Sequence, residues 1–260
     1  MTAEIETRRV DGFQTIRFTR PGKKNAITRA MYEAMGDALG KGEADAQVAV
    51  HVFLGSEGFF SAGNDVNDFL ANAAGDAGAT GGALRFLHLL PVIKKPMIAA
   101  VDGPAVGVAV TLLFHCDLVY ASRLATFSTP FLDLGLVPEN ASSLLAPQIM
   151  GHARAFELLV LGETFGAELA REAGFVNSVV ADGEAEAVAF ASALRLAAKP
   201  PEALRRSRAF LRPDPGLVLA RSDEETAAFL ELLKEPEARE AFSAFLEKRR
   251  PDFAKLRRAG

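Results

Sequence analysis

The acidic residue placed best for chemistry is Glu139, in Gly135-Leu136-Val137-Pro138-Glu139-Asn140-Ala141-Ser142-Ser143. No other charged residue lies between Asp133 and His152, and its neighbours are apolar or small. Partial desolvation of its carboxylate is therefore expected. Burial penalises the charged form, raises the pKa and makes a carboxylate a stronger base near neutral pH. The competing reading is structural, with Glu139 flanking a helix that begins near Ala141. Asp117 and Asp133 read as structural hydrogen-bonding groups at strand and loop ends. The histidines, His51, His88, His115 and His152, form no pair at metal-ligand spacing and stand near no cysteine cluster, so each reads as structural. No G-x-S-x-G nucleophile signature occurs. Cys116 is the single cysteine, which excludes an intrachain disulfide and fits a small core residue.

Two further segments have a shape suited to holding negative charge: a strand, a glycine-bearing turn, then the first turn of a helix. They are Phe60-Ser61-Ala62-Gly63-Asn64-Asp65 and Val101-Asp102-Gly103-Pro104-Ala105-Val106-Gly107-Val108. A helix start leaves backbone N–H groups without partners and carries partial positive charge. Glycine allows a ligand to approach the main chain closely. Two such N–H groups converging on one oxygen would form an oxyanion hole. Glycine before a helix is common, so either segment alone carries little weight. The second lacks the Gly-Lys-Ser/Thr ending of a phosphate loop and the G-x-G-x-x-G spacing of a dinucleotide site.

The elements that must position these groups read as follows. A β-rich run covers 13–19 and ends at Pro21-Gly22; Thr28 caps a helix reaching Leu39; a second strand covers 47–54. The alanine- and glycine-rich stretch 72–82 reads as a mobile loop. A helix follows over 83–94, then a buried strand over 96–101 and an apolar helix over 106–114. Short strands are expected at 117–121 and 125–127. Beyond Ala141 the pattern is helical over 142–150, 152–161, 167–173, 183–198, 200–211, 217–233 and 237–248, with one strand at 175–180. This order gives an α/β class with a helical C-terminal part. The chain has 260 residues, 49% hydrophobic and 24% charged, which is enough apolar material for a large core. A net charge of −4 argues against a nucleic-acid surface or a polybasic membrane anchor. The N-terminal residues are charged early, the apolar run 103–114 is too short to span a bilayer, and the C-terminus is not a Ser-Lys-Leu address. A cytoplasmic location is expected.

Taken in order, the motifs resemble a known family. Phe59-Phe60-Ser61-Ala62-Gly63-Asn64-Asp65 resembles the first oxyanion motif of the crotonase (enoyl-CoA hydratase/isomerase) superfamily. The run from Lys95 to Gly107, KPMIAAVDGPAVG, resembles its second. Cys116-Asp117-Leu118-Val119-Tyr120-Ala121-Ser122 and Ala125-Thr126-Phe127 continue the pattern, and the resemblance runs from about Phe13 to Leu211. Gly63-Asn64-Asp65, Gly103-Pro104-Ala105-Val106-Gly107 and Pro138-Glu139 followed by Ala141-Ser142-Ser143 are most similar to the peroxisomal type of Δ3,Δ2-enoyl-CoA isomerase.

The resemblance implies a crotonase-like spiral of strand-strand-helix units over 1–200 and a helical oligomerisation segment over 201–260. It implies oxyanion donors at the N–H groups of Asn64 and Val108, and an isomerase base at Glu139. Coenzyme A would lie along Lys24 to Ala26 and Ala62 to Val66, giving substrate contacts at Lys24, Ala26, Ala62, Gly63, Asp65, Val66 and Gly107. Phe60, Phe69, Phe131 and Leu134 are candidates for the acyl pocket. The two glutamates that hydratases of the family use fall on Thr111 and Phe131, so isomerisation is expected over hydration. Where resembling isomerases often carry glycine after the base, this chain has Asn140, the next most tolerant residue for a left-handed backbone. No metal or redox cofactor is implied, coenzyme A being part of the substrate, and the expected assembly is a homotrimer or a dimer of trimers. Two alternatives stay open: another acyl-CoA reaction of the superfamily, such as hydration, hydrolysis or decarboxylation, and a non-catalytic acyl-CoA-binding or interaction scaffold.

Overall fold

The computed structural model describes residues 4–65, 68, 81–247 and 249–257. A six-stranded sheet forms the centre. It is built from β1 (Ile5–Val10), β2 (Phe13–Phe18), β3 (Val50–Leu54), β4 (Met97–Val101), β6 (Leu118–Ser122) and β9 (Ser178–Val180), side by side in that order. The β1–β2 hairpin is antiparallel, with Ile5 opposite Phe18 and Val10 opposite Phe13; every later pairing is parallel. The helices α1 (Arg29–Ala44), α2 (Gly81–Leu89) and α3 (Val108–Leu113) lie among the crossovers of this sheet.

Buried parallel strands need apolar residues on both faces, and β3 and β4 supply them. Val50, Val52, Leu54, Ile98 and Ala100 pack with Ala185, Ala189 and Ala193 of α6 (Ala185–Ala197). Phe53, Met97, Ala99 and Val101 turn to the opposite face and join the main core with Met31, Met35 and Leu39 of α1. A small second sheet, β5 (Ala105–Val106), β7 (Thr126–Ser128) and β8 (Phe165–Gly166), sits beside the first. The remaining helices are α4 (Ser142–Leu159), α5 (Ala167–Glu172), α7 (Pro201–Leu211), α8 (Pro215–Leu232), α9 (Pro236–Leu246) and α10 (Phe253–Arg257). Among the described residues, no helix is long and apolar enough to cross a membrane.

The sequence expectations place most elements within a few residues, with informative differences. β1 escapes sequence reading because Thr7, Arg8 and Arg9 are exposed, as suits an edge strand that meets water. The apolar run expected as a helix over 106–114 is split: Ala105–Val106 pairs with Ala105↔Phe127 and Val106↔Ser128 as a strand, and the helix starts only at Val108. The helices expected at 142–150 and 152–161 form one element broken at Gly151, whose φ of 76° and ψ of 161° are not helical. Pro91 closes α2 into a 3₁₀ turn, Leu90–Val92, short of the expected end at Lys94. Of the expected loop 72–82, Gly81 and Gly82 belong to α2 and the rest lies outside the described residues.

Candidate functional site

Three backbone segments meet at the site. The run 24–27 pairs with 62–65: the Ala62 N–H donates to Lys24 O at 2.9 Å, Ile27 N–H to Gly63 O at 2.7 Å, and Asp65 N–H to Ile27 O at 2.9 Å. The run 60–63 in turn lies along 104–106, with Phe60 N–H donating to Pro104 O at 3.0 Å and Val106 N–H to Ser61 O at 3.0 Å. The two glycine-bearing turns singled out from sequence are thus locked side by side by main-chain hydrogen bonds. Gly63 is required at that contact. Its φ is +83°, and a Cβ there would stand 2.7 Å from Val106 O.

Neither the Asn64 nor the Val108 N–H has a partner among the described residues, whereas the N–H groups flanking each are used or begin the helix. Val108 opens α3, and Gly107 before it donates its own N–H to Ser128 O at 2.8 Å. Asn64, Val108, Gly63, Gly107 and Glu139 line one cavity of about 340 Å³, together with Phe131 and Leu134. Ala241 and Phe242 of α9 form another part of its wall. On the far side of Asn64 and Glu139 a second, smaller cavity of about 80 Å³ opens, lined by Tyr32, Leu87, Phe229 and Leu230. Glu139 and Asn64 face both spaces.

Glu139 is 9% exposed, and its Oε1 is buried without a hydrogen-bond partner in the structure. Burial, and then the nearby Glu225 carboxylate, push its pKa up to about 8. A carboxyl group in that state can exchange a proton near neutral pH, and it adjoins two main-chain donors that can hold an oxyanion. Asn140 and Ala141 follow it in left-handed conformation, φ 62° and 55°. The Asn140 position thus takes the backbone that glycine would favour. Its carbonyl accepts a hydrogen bond from His115 Nε2 at 2.9 Å. Burial pushes the His115 pKa down to about 3, so this imidazole is a neutral donor.

The other sequence candidates are distributed unevenly. Ala62 reaches the larger cavity with Gly63 and Gly107. Lys24 lines neither cavity; its ammonium lies 5.3 Å from the centre of the Phe59 ring, and its backbone is left-handed. The Ala26 carbonyl accepts from Arg20, and Asp65 is ion-paired to the same guanidinium at 2.7 Å, so both fasten the loop. Val66 and Phe69 lie outside the described residues. Phe60 is not a wall of either cavity; it is fully buried with its ring edge-on to Phe18.

Sequence reading missed Tyr32, whose hydroxyl donates to Asn64 Oδ1 at 2.5 Å, and Asn25, buried with its amide on Ser56 O and Phe59 O. Tyr32 carried no signal, because a tyrosine in an amphipathic helix reads as core. Asn25 did carry one, since asparagine tolerates a positive φ, and its φ is 55°.

A profile of the enoyl-CoA hydratase/isomerase family matches residues 8–256. Enoyl-CoA delta isomerase 2 of Rattus norvegicus is 38% identical over 84% of this chain, which spans 57% of that protein. Enoyl-CoA delta isomerase 3, peroxisomal, of Mus musculus is 36% identical over 91% of this chain and 76% of its own length. The 2,3-dehydroadipyl-CoA hydratase of Escherichia coli (strain K12) is 32% identical over 90% of this chain and 92% of its own. Among solved structures, an enoyl-CoA hydratase/isomerase from Pseudoalteromonas atlantica T6c superposes with a TM-score of 0.91 at 35% identity, covering 96% of this chain and 99% of that one. Fold, site geometry and sequence similarity agree: the chain belongs to the crotonase, or enoyl-CoA hydratase/isomerase, superfamily of acyl-CoA enzymes, and enoyl-CoA delta isomerases are among its relatives.

Proposed function

We propose that this enzyme isomerises 3-enoyl-CoA to trans-2-enoyl-CoA. The thioester carbonyl lies between the N–H groups of Asn64 and Val108, and Glu139 removes a proton from C2. The electrons move through the C3–C4 double bond system to give a dienolate, with its charge on the thioester oxygen. The protonated Glu139 then delivers the same proton to C4, leaving the double bond between C2 and C3. Backbone donors aimed at the developing charge lower the barrier, because they need no reorganisation as it forms.

The observation that carries this reading is Glu139, a buried, proton-binding carboxylate that shares one cavity with two main-chain N–H groups unpaired among the described residues. Thr111 and Phe131, which stand where hydratases of the family place their glutamates, bring no second carboxylate. Thr111 is fully buried with its hydroxyl on Val108 O, and Phe131 offers the cavity a ring. In the same proposal the coenzyme A moiety enters along Lys24, Ala26, Ala62, Asp65, Val66 and Gly107, and the acyl chain runs past Glu139 toward the apolar space between α1, α2 and α8. The assembly is a homotrimer or a dimer of trimers, which the mass in solution reads.

Incubation with 3-hexenoyl-CoA should yield the 2-enoyl thioester. Glu139→Gln, which keeps the shape and removes the base, should lower the rate by about 10²–10⁴. Wild-type turnover by purified, folded Glu139→Gln would overturn the mechanism.

A further inference from the structure

Glu139 ends a turn that needs an external hold. The two residues after it, Asn140 and Ala141, are both non-glycine and both left-handed, a conformation that crowds a Cβ against the backbone. Strain of this kind persists only where the surroundings fix it. On one side the hold is the His115 imidazole on the Asn140 carbonyl. On the other it comes from α8. Glu225 accepts the Ser143 N–H at 2.9 Å, and Arg221, one turn earlier, reaches the Ser143 hydroxyl at 3.3 Å. Two residues of α8 thus grip the first turn of α4, directly after the left-handed pair.

Glu225 is an unusual residue to find in such a place. It is 7% exposed, and its Oε2 is buried without a hydrogen-bond partner among the described residues. A helix cap made by serine or threonine would hold the α4 N-terminus without burying a charge. What the carboxylate adds is an electrostatic effect on Glu139, the group in the adjoining cavity. The helix that carries it also supplies Thr226, Phe229 and Leu230 to the smaller cavity.

We infer that Glu225 is a positioning residue for the Glu139 base: it anchors the 139–143 turn through Ser143 and sets the electrostatic field in which Glu139 exchanges its proton. This rests on the isomerase reading for its kinetic consequence, though not for its structural one. The charged and titratable groups described around the pair are Arg221 on α8, Arg29 and Tyr32 on α1, Asp65 and Asp68 at the smaller cavity, Asp133 and Arg249 at the larger one, and neutral His115 behind the turn. Burial raises the Glu225 pKa, against the Ser143 hydroxyl and N–H, the Ala141 N–H and then the Arg221 charge, which draw it down. Tyr32 is held neutral by its own burial and by the Glu139 and Asp68 charges.

The two parts of the role separate by substitution. Glu225→Gln keeps an oxygen to accept the Ser143 N–H and removes the charge. Glu225→Ala removes both. The Glu139 carboxyl is followed by its infrared band, identified as the band absent from Glu139→Gln, and titrated in each background. Glu225→Gln should shift the Glu139 midpoint to lower pH, with the rising limb of kcat/KM for 3-hexenoyl-CoA moving in parallel and kcat retained within about threefold. Glu225→Ala should lower kcat by about 10–100-fold with KM within about twofold, because the base is misaimed while the apolar cavity persists; Glu225→Gln should restore most of that loss. An unshifted Glu139 band in Glu225→Gln overturns the electrostatic part. Wild-type kcat in folded Glu225→Ala overturns the anchoring part. If the wild-type enzyme turns over no 3-enoyl-CoA, the isomerase reading fails, and the infrared midpoint still decides the coupling between the two carboxyls. Should Glu225→Ala fail to fold, Glu225→Asp, which withdraws the carboxylate by one methylene, takes its place with the same expected loss of kcat.

Discussion

Tyr32 shows how a side chain with no reactive role can bear on the chemistry. It is 4% exposed, its hydroxyl is directed at Asn64 Oδ1, and Asn64 carries one of the two unpaired N–H groups. Pinning the Asn64 side chain restrains the peptide that presents the N–H. A single hydrogen bond of this kind is worth about 0.5–1.5 kcal/mol net. Tyr32→Phe should therefore lower kcat by about two- to tenfold with little change in KM, read by steady-state kinetics on 3-hexenoyl-CoA. An equal rise in KM with unchanged kcat would show that the hydroxyl serves binding and not the oxyanion donor. Lys24 illustrates the opposite case. Its ammonium lies over Phe59, and Lys24 lines neither cavity.

At the scale of elements, the site is a product of how two turns share hydrogen bonds. The turn 60–65 is threaded between 24–27 and 104–106, and Gly63 is the point of closest approach. An alanine there would need a φ of +83° and would press its Cβ within 2.7 Å of the Val106 carbonyl. Backbone on both sides leaves no flexible atom to yield. Gly63→Ala should lose about 1–3 kcal/mol of stability and nearly all isomerase activity, because the turn moves away from Val106 and carries Asn64 with it. Denaturant melts together with turnover would show both losses; full activity in a folded Gly63→Ala would contradict the packing described. The same scale explains α3. Its apolar sequence predicts a helix from Val106, but pairing of Ala105–Val106 with β7 delays the start to Val108, which lines the larger cavity.

For the whole molecule, burying a carboxylate has a pH signature. The Glu139 pKa is about 8 in the folded chain against an ordinary value of 4.5, so between these pH values the native state holds a proton that the unfolded chain has released. Stability from this group therefore falls as pH rises through that window, and the loss is complete above pH 8. Each unit corresponds to about 1.4 kcal/mol, so the effect amounts to a few kcal/mol. Glu139→Gln cannot ionise and should escape it. Its stability relative to wild type should increase between about pH 5 and pH 8.5 in urea melts. A difference that stays flat with pH would mean that Glu139 is solvated. Kinetically the sign is reversed, since the base must be ionised, and kcat/KM should climb through the same range. Activity and stability thus draw on the same desolvated group in opposite directions.

The residues that can carry the chemistry were legible in the chain itself. Glu139 was marked by a long stretch without other charges, the two turns by glycine between a strand and a helix, and the family by several motifs in fixed order. These are local or ordered patterns, and a linear text preserves them. The register of Ala105–Val106 with β7, the exposed strand Ile5–Val10 and the partners Tyr32, His115 and Glu225 were not legible. Each depends on a contact between segments far apart in sequence, where a polar or ordinary core residue gives no sign of what it will face. The sequence singles out Glu139 as the carboxylate that the proposed reaction takes as its base. Only the tertiary packing around the 139–143 turn, with His115 on one side and α8 on the other, decides where that carboxylate sits, because desolvation and charge proximity exist only once distant segments are brought together.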